Sequence, residues 1–431
     1  MNKFPIPTIP QEEWANCELG VIIHYNLETF HPDLPQNKWK SSPDVMTADT
    51  FAPKEVDTDQ WMEAAKAMGA KYAVFVANHV TGFAMWPTKQ NKYSVVGSPY
   101  LDGKADIVRD FINSCKKYDI KPGLYYSTGC NGYYGINDEM LNDTQTETYR
   151  NYIKVVESQL EELWGNYGEL FEIWFDGGVI SLSQGGPNVL ELIRKYQPEA
   201  ICFQGLKEQT HNLRWVGNER GEAPLNCWST STKNTCSFGG TEEDRGIGKG
   251  NPEGEYWIPA ESDMGNRSKQ ASGGGWGWRE GEEHLVYKPE HLLDCYYNTV
   301  GRNSNLLLGM AIHRDGYFPD VQQFNEFGRL VNEIYADPVK STSGTGNKYE
   351  LDLTELTYIK NISIMEDIHY GERVRDFTVT VETENGMEEI FNAECIGHKR
   401  LIKLEKKIKK AILTINQRVD TVIIKDFTLY A

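Results

Sequence analysis

Polar side chains stand at the ends of four apolar runs in this chain. His24 closes LGVIIH, and His79 lies two residues beyond YAVFVA. Tyr125 and Tyr126 close KPGLYY, and Asp176 follows Ile173-Trp174-Phe175. Alternation along a strand puts Trp174 and Asp176 on one face and Phe175 on the other. Gly177 and Gly178 come next and let the backbone turn without steric cost. An aspartate so placed acts as a nucleophile or base, or it caps the following helix. Histidines at strand ends hold polar ligands or sit in the core with both nitrogens satisfied. Four polar ends together favour a site.

Acid–base chemistry needs a second carboxylate. Candidates cluster in one stretch: Glu219 in RWVGNE, Glu222 just after it, and Glu261 in WIPAE. In a chain with 62 acidic residues, any of these could also be a solvated surface charge. Trp215, Trp228, Trp257, Trp276 and Trp278 surround them in sequence. Indoles on Gly-rich loops either stack on sugar faces or pack the loops together. Paired carboxylates with clustered aromatics point to glycoside hydrolysis. No H-E-x-x-H occurs and none of the nine histidines shows ligand spacing, so neither metal nor cofactor is expected.

Strands must carry these residues. Runs at Leu19–His24, 72–77, Lys121–Tyr126, 170–175 and 304–308 alternate with helical stretches at Thr58–Met68, 105–118 and 144–164. Trp61, Ala64, Ala65 and Met68 fall at i, i+3, i+4 and i+7, an apolar helix face. Doubly apolar strands alternating with helices imply a parallel sheet, and the number of repeats predicts an α/β fold with a (β/α)8-like barrel over residues 1–340. A barrel puts its site at the C-terminal ends of the strands, where the polar residues stand. Residues 207–285 break the rhythm and read as long functional loops. Beyond residue 345, stretches at 349–364, Val374–Thr383, 393–404 and 411–430 alternate β-branched and polar residues, with Asn385-Gly386 as a turn signal. These predict a C-terminal β-sandwich over 348–431, joined by a linker at 341–347 (STSGTGN).

Composition sets limits on the ligand. Of 431 residues, 44 are Lys or Arg and 62 Asp or Glu, a formal charge of −18. That excludes a nucleic-acid phosphate binder and docking on anionic lipid, and leaves a neutral ligand. No apolar run of spanning length occurs, so no membrane partner is expected. The first residues, MNKFPIPTIPQEEW, contain no apolar leader core. The expectation is a cytoplasmic protein if Met1 is native, or a secreted or periplasmic one whose leader was removed. Eight scattered cysteines form no C-x-x-C pair and read as buried thiols.

The motifs resemble those of glycoside hydrolase family 29, the retaining α-L-fucosidases, in order and nearly end to end. Residues 18–30 (ELGVIIHYNLETF) look like the family's first strand, and 60–86 (QWMEAAKAMGAKYAVFVANHVTGFAMW) like its second βα unit. GLYYS at 123–127, EIWFDG at 172–177 and NTVGRNSNLLL at 298–308 follow in the expected order. MEDIHYGERVRDF at 365–377 and IGHKRL at 396–401 resemble the C-terminal module. RWVGNE with CWST at 227–230, and WIPAE with a later Gly-Trp, resemble the branch acting on 1,3/1,4-linked fucose and the plant enzymes.

The resemblance implies roles. Asp176 matches the nucleophile that forms a glycosyl ester. Glu219 matches the acid/base, with Glu261 second and Glu222 a distant third. His24, His79, Tyr125 and Trp174 match residues holding the sugar, and Trp39, Trp276 and Glu261 are expected beside it. Double displacement would need the two carboxyl groups about 5–5.5 Å apart. The implied partner is a fucosylated or related oligosaccharide. Two positions depart from the pattern: Val80 stands where a second histidine is usual, and Lys38 where a Glu precedes Trp39. Both usual residues bond sugar hydroxyls. An α-L-galactosidase, another fucose-like glycosidase, or a catalytically silent carbohydrate-binding protein on this fold are therefore the alternatives.

Overall fold

The structure is a computed structural model, and it describes residues 4–34, 43–137, 143–233 and 248–431. Eight parallel strands close into a barrel. They are β1 (Leu19–His24), β2 (Tyr72–Asn78), β3 (Lys121–Tyr126), β4 (Glu172–Trp174), β5 (Ile201–Phe203), β6 (Asn212–Trp215), β7 (Ala260–Met264) and β8 (Asn305–Ala311). β1 closes the ring by pairing with β8, Leu19 against Leu306 through His24 against Ala311. Helices α1 (Ile9–Cys17), α2 (Thr58–Met68), α3 (Ile107–Tyr118), α4 (Glu147–Asn166), α5 (Val189–Tyr196), α6 (Pro289–Thr299) and α7 (Val321–Ile334) accompany the strands.

Local chemistry sets the helix ends. Asp57 and Asp106 accept hydrogen bonds from the backbone N–H of Gln60 and Arg109 and so start α2 and α3. Gly69, at φ +96°, ends α2. The predicted face of α2, Trp61, Ala64, Ala65 and Met68, is buried against the barrel. Burial of such side chains contributes about 1.5–3 kcal/mol for each large one.

Inside the barrel, side chains from several strands fill the core in layers. Ile22, Tyr72, Val74, Tyr125, Trp174, Phe203 and Leu307 form one apolar cluster, which Trp14 of α1 joins. A Cβ at Gly20 would lie 2.4 Å from the Tyr72 ring, so the glycine makes room for that phenol.

Two findings correct the sequence reading. Residues 207–285 are not all loop: they contain β6 and β7. Those strands are short and include Asn212, Arg214, Glu261, Ser262 and Asp263, so no apolar run announces them. The expected linker at 341–347 is largely strand: β9 (Pro338–Thr345) pairs with the final strand.

After β9, the C-terminal module continues with β10 (Lys348–Glu366), β11 (Val374–Thr383), β12 (Gly386–Ala393), β13 (Arg400–Arg418) and β14 (Ile423–Tyr430). They form one six-stranded antiparallel sheet. The two 19-residue strands β10 and β13 pair along their lengths, with register shifts between Asp352 and Thr357 and between Ile359 and Asn361. One half of the pair carries β14 and the other β11. Bulges of this kind bend strands, and the two halves enclose a common core of Ile359, Ile362, Phe377, Val379, Leu413 and Phe427. Glu372 ties the module to the barrel side by accepting from the Ser229 N–H at 2.9 Å and the Asn303 amide at 2.5 Å. Cys17, Cys115, Cys130, Cys202, Cys227, Cys295 and Cys395 are buried free thiols, and Cys236 lies outside the described residues.

Candidate active site

The C-terminal ends of the barrel strands surround a cavity of about 330 Å³. That is the scale of a small-molecule site. His24, His79, Tyr125, Trp174, Asp176, Glu219 and Trp276 all line it. Residues from six separate βα units, far apart in sequence, thus converge as the barrel argument requires.

Asp176 is solvent-accessible and stands just beyond β4. Gly177 and Gly178, at φ +72° and +91°, turn the chain away from it. It does not cap the next helix, since Asn188 occupies that position for α5. The Tyr125 hydroxyl donates to Asp176 Oδ2 at 2.8 Å. Burial and the neighbouring Asp176 carboxylate push the Tyr125 phenol well above its ordinary range, so it remains a donor. The rings below are stacked in series: Tyr125 on Trp174 at 5.3 Å, and Trp174 on Phe203 at 4.1 Å. This stack fixes the height of Tyr125 beneath the carboxylate.

His24 ends β1 and faces Trp276 at 5.1 Å and His79 at 5.8 Å between ring centroids. Burial, with the charge of His79 adding to it, holds the His24 imidazole well below its usual pKa, so it is neutral at pH 7. Trp276 follows a glycine turn, Gly273 to Gly275, in which all three residues have positive φ. Its indole is packed over Gly309 of β8, where a Cβ would come within 2.9 Å of the ring.

The acidic candidates separate clearly. Glu219, on the loop after β6, lines the cavity, with Lys269 Nζ at 3.7 Å. Glu222 is half-exposed and lies near Arg220 and Arg302, outside the cavity lining. Glu261 is fully buried inside the barrel and is not part of the cavity wall. It accepts from Tyr72 OH at 2.8 Å and from Trp174 Nε1 at 2.9 Å. Direct contact of Glu261 with the ligand, expected from the sequence, is thus not what the structure gives. As the second residue of β7 it stands one layer too deep, beneath Trp174. Trp39 and Lys38 lie outside the described residues.

Two cavity carboxylates escaped the sequence reading. Asp263 stands two residues after Glu261 on β7, hence on the same inward face but one layer higher. It accepts from Trp215 Nε1 at 2.7 Å. Burial, aided by the charges of Glu219 and Glu261, drives its carboxyl well above the usual range. Glu28 lies on the short 3-10 turn Leu27–Phe30 after β1, and its Oε1 is 2.7 Å from His79 Nδ1. The signal for Asp263 was the period of two from Glu261. For Glu28 it was a carboxylate four residues beyond a strand-end histidine.

The chain is similar to known proteins in sequence and fold. The family model for alpha-L-fucosidase matches residues 4–332. Alpha-L-fucosidase 1 of Arabidopsis thaliana is 27% identical over 445 residues, covering 93% of this chain and 82% of the plant protein. A solved structure from Bacteroides thetaiotaomicron VPI-5482 superimposes with a TM-score of 0.92 at 31% identity, covering 99% of both chains. A glycoside hydrolase 29 family member from an unknown rumen bacterium gives a TM-score of 0.84 at 28% identity, covering 100% of this chain and 78% of that one. The plant relative accords with the branch suggested by RWVGNE and WIPAE. With a polar cavity at the mouth of a closed barrel and this likeness along nearly its whole length, the chain belongs to the alpha-L-fucosidase family, glycoside hydrolase family 29, and is a glycoside hydrolase.

Proposed function

We propose that the enzyme is an exo-acting, retaining α-L-fucosidase that releases α-linked L-fucose from glycans by double displacement. The observation that carries this reading is the Tyr125–Asp176 contact in a cavity that also holds Glu219. Tyr125 occupies Oδ2, which leaves Oδ1 of Asp176 to attack the anomeric carbon. The bond to the leaving oxygen breaks as Glu219 gives that oxygen its proton. Glu219 then takes a proton from water, and the hydroxide equivalent displaces Asp176 and releases the sugar with retained configuration. His24, His79, Trp174 and Trp276 hold the ring.

One observation favours a second assignment of the acid. Asp263 is buried in the same cavity and burial pushes its carboxyl well above the usual range, toward the protonated form a proton donor needs, whereas Glu219 faces Lys269. Each assignment keeps Asp176 as nucleophile. An α-L-galactosidase is not favoured because the family match is to alpha-L-fucosidases, and a silent binding protein is not favoured because Asp176 and Glu219 both line the cavity.

A panel of nitrophenyl glycosides with NMR of the first-formed anomer tests the proposal. The α-L-fucoside should be cleaved in preference to the α-L-galactoside, with β-free α-L-fucose appearing first. Asp176→Asn should abolish turnover in a protein of unchanged melting temperature. Near-normal kcat in Asp176→Asn, or inversion at the anomeric centre, would remove the mechanism.

A further inference from the structure

The wall of the cavity formed by the end of β1 and the turn after it is chemically unusual. His24, Asn26 and Glu28 all line the cavity, and each carries a buried polar atom with no partner among the described residues: Nδ1, Nδ2 and Oε2 respectively. Asn26 is 4% exposed and Glu28 is 6% exposed. Buried acceptors and donors of this kind are costly unless something completes them. Of the three, Glu28 is the one with charge. Its other oxygen, Oε1, is held by His79 Nδ1 at 2.7 Å, which anchors the carboxylate against the next strand. Beside His79, the cavity wall continues as Val80, whose side chain offers no hydrogen bond.

We propose that Glu28 is the residue that reads the sugar on this wall: its carboxylate accepts a hydrogen bond from one ring hydroxyl, while its bond to His79 fixes that imidazole with Nδ1 as the donor. This rests on the fucosidase reading of the cavity and deepens it. The chemistry suits the place. A hydroxyl donating to a carboxylate makes a charge-assisted bond, stronger than a neutral one. A neutral sugar brings hydroxyl donors and no charge of its own, so the acidic group is not opposed. The tie to His79 also holds the carboxylate in one orientation before the ligand arrives, which reduces the ordering needed on binding. A carboxylate at position 28 thus serves recognition where the neighbouring Val80 cannot, and Glu28 acts in binding, apart from the bond-breaking groups Asp176 and Glu219.

The test is a binding cycle. Affinity for L-fucose and for its 2-, 3- and 4-deoxy analogues is measured by calorimetry on the wild type and on Glu28→Gln, which keeps the shape and removes the charge. Loss of one charge-assisted hydrogen bond should weaken fucose binding roughly 10- to 150-fold. For one deoxy sugar, the one lacking the partner hydroxyl, the two proteins should bind equally, because the interaction is already absent. A uniform loss across all four sugars would mean that Glu28 only supports the fold, and would overturn the proposal. So would equal binding of fucose by both proteins. Should Glu28→Gln not fold, the same cycle on Glu28→Asp, which retracts the carboxylate by one methylene, must show the same selective loss or the proposal falls. A wild type that neither binds L-fucose nor cleaves its α-nitrophenyl glycoside overturns the underlying fucosidase reading, a result distinct from either of the others.

Discussion

Glu172 and Glu261 meet inside the barrel, both fully buried, and their proton sets how stability responds to pH. Burial raises both carboxyls. Glu172 is pushed well above its normal range, with the Glu261 charge adding to the effect. Glu261 rises from 4.5 to about 7, with hydrogen bonds from Trp174, Tyr72 and Glu172 partly opposing the burial. The folded protein therefore binds more protons than the unfolded chain between pH 4.5 and about 7. The slope of unfolding free energy with pH is negative in that window, so the stabilisation from the protonated Glu261 is full below it and is lost as pH rises through about 7. Raising the carboxyl from 4.5 to about 7 corresponds to a loss of about 3 kcal/mol. For a barrel unit of about 340 residues this is roughly 4 °C in Tm. All eleven tryptophans precede residue 279, so tryptophan fluorescence follows the barrel and not the C-terminal sheet. Melts at pH 5 and pH 8 should differ for the wild type by that amount beyond the change in Glu172→Gln. In the variant an amide donates to Glu261 and stabilises its anion, so the pH dependence flattens. Identical slopes in wild type and Glu172→Gln would refute the shared-proton account, whatever the absolute stability of the variant.

Other outcomes follow from the cavity. Tyr125→Phe removes the donor at Asp176 Oδ2 and should lower kcat/KM on nitrophenyl α-L-fucoside by roughly 10- to 100-fold with Tm little changed; an unchanged kcat/KM would disconnect the pair from catalysis. Azide should restore turnover to the acid/base variant and yield a glycosyl azide, so comparing Glu219→Ala, Asp263→Asn, Glu261→Ala and Glu222→Ala decides the assignment. Rescue of Asp263→Asn alone would transfer the role from Glu219, and Glu261→Ala should show no rescue because that side chain lies outside the cavity. Gly309→Ala places a methyl 2.9 Å from the Trp276 ring and should raise KM more than it lowers kcat; steady-state kinetics with unaltered KM would show that the indole does not touch the sugar.

Much of this was legible along the chain. Apolar runs ending in His24, Tyr125 and Asp176 marked barrel strands and the direction of the site, because alternation and the barrel rule act through local sequence. RWVGNE and EIWFDG carried the family and the two leading carboxylates. The short strands β6 and β7 were hidden, since four or five residues held on both sides by neighbours need no apolar run of their own. Depth was hidden as well. Glu261 and Asp263 are equivalent in sequence, both acidic and on one face of one strand, yet one lies beneath Trp174 and the other lines the cavity. Their separation depends on where β7 meets β6 and β8 in the ring, Glu261 beside Trp215 and Asn305. Glu28 gains its meaning from a histidine 51 residues away that the pairing of β1 with β2 brings to 2.7 Å. The sequence alone determined which elements form and which residue types reach the strand ends. Tertiary structure decided which carboxylates share the cavity and which are buried below it, because strand register across the ring is a property of all eight strands together and of none singly.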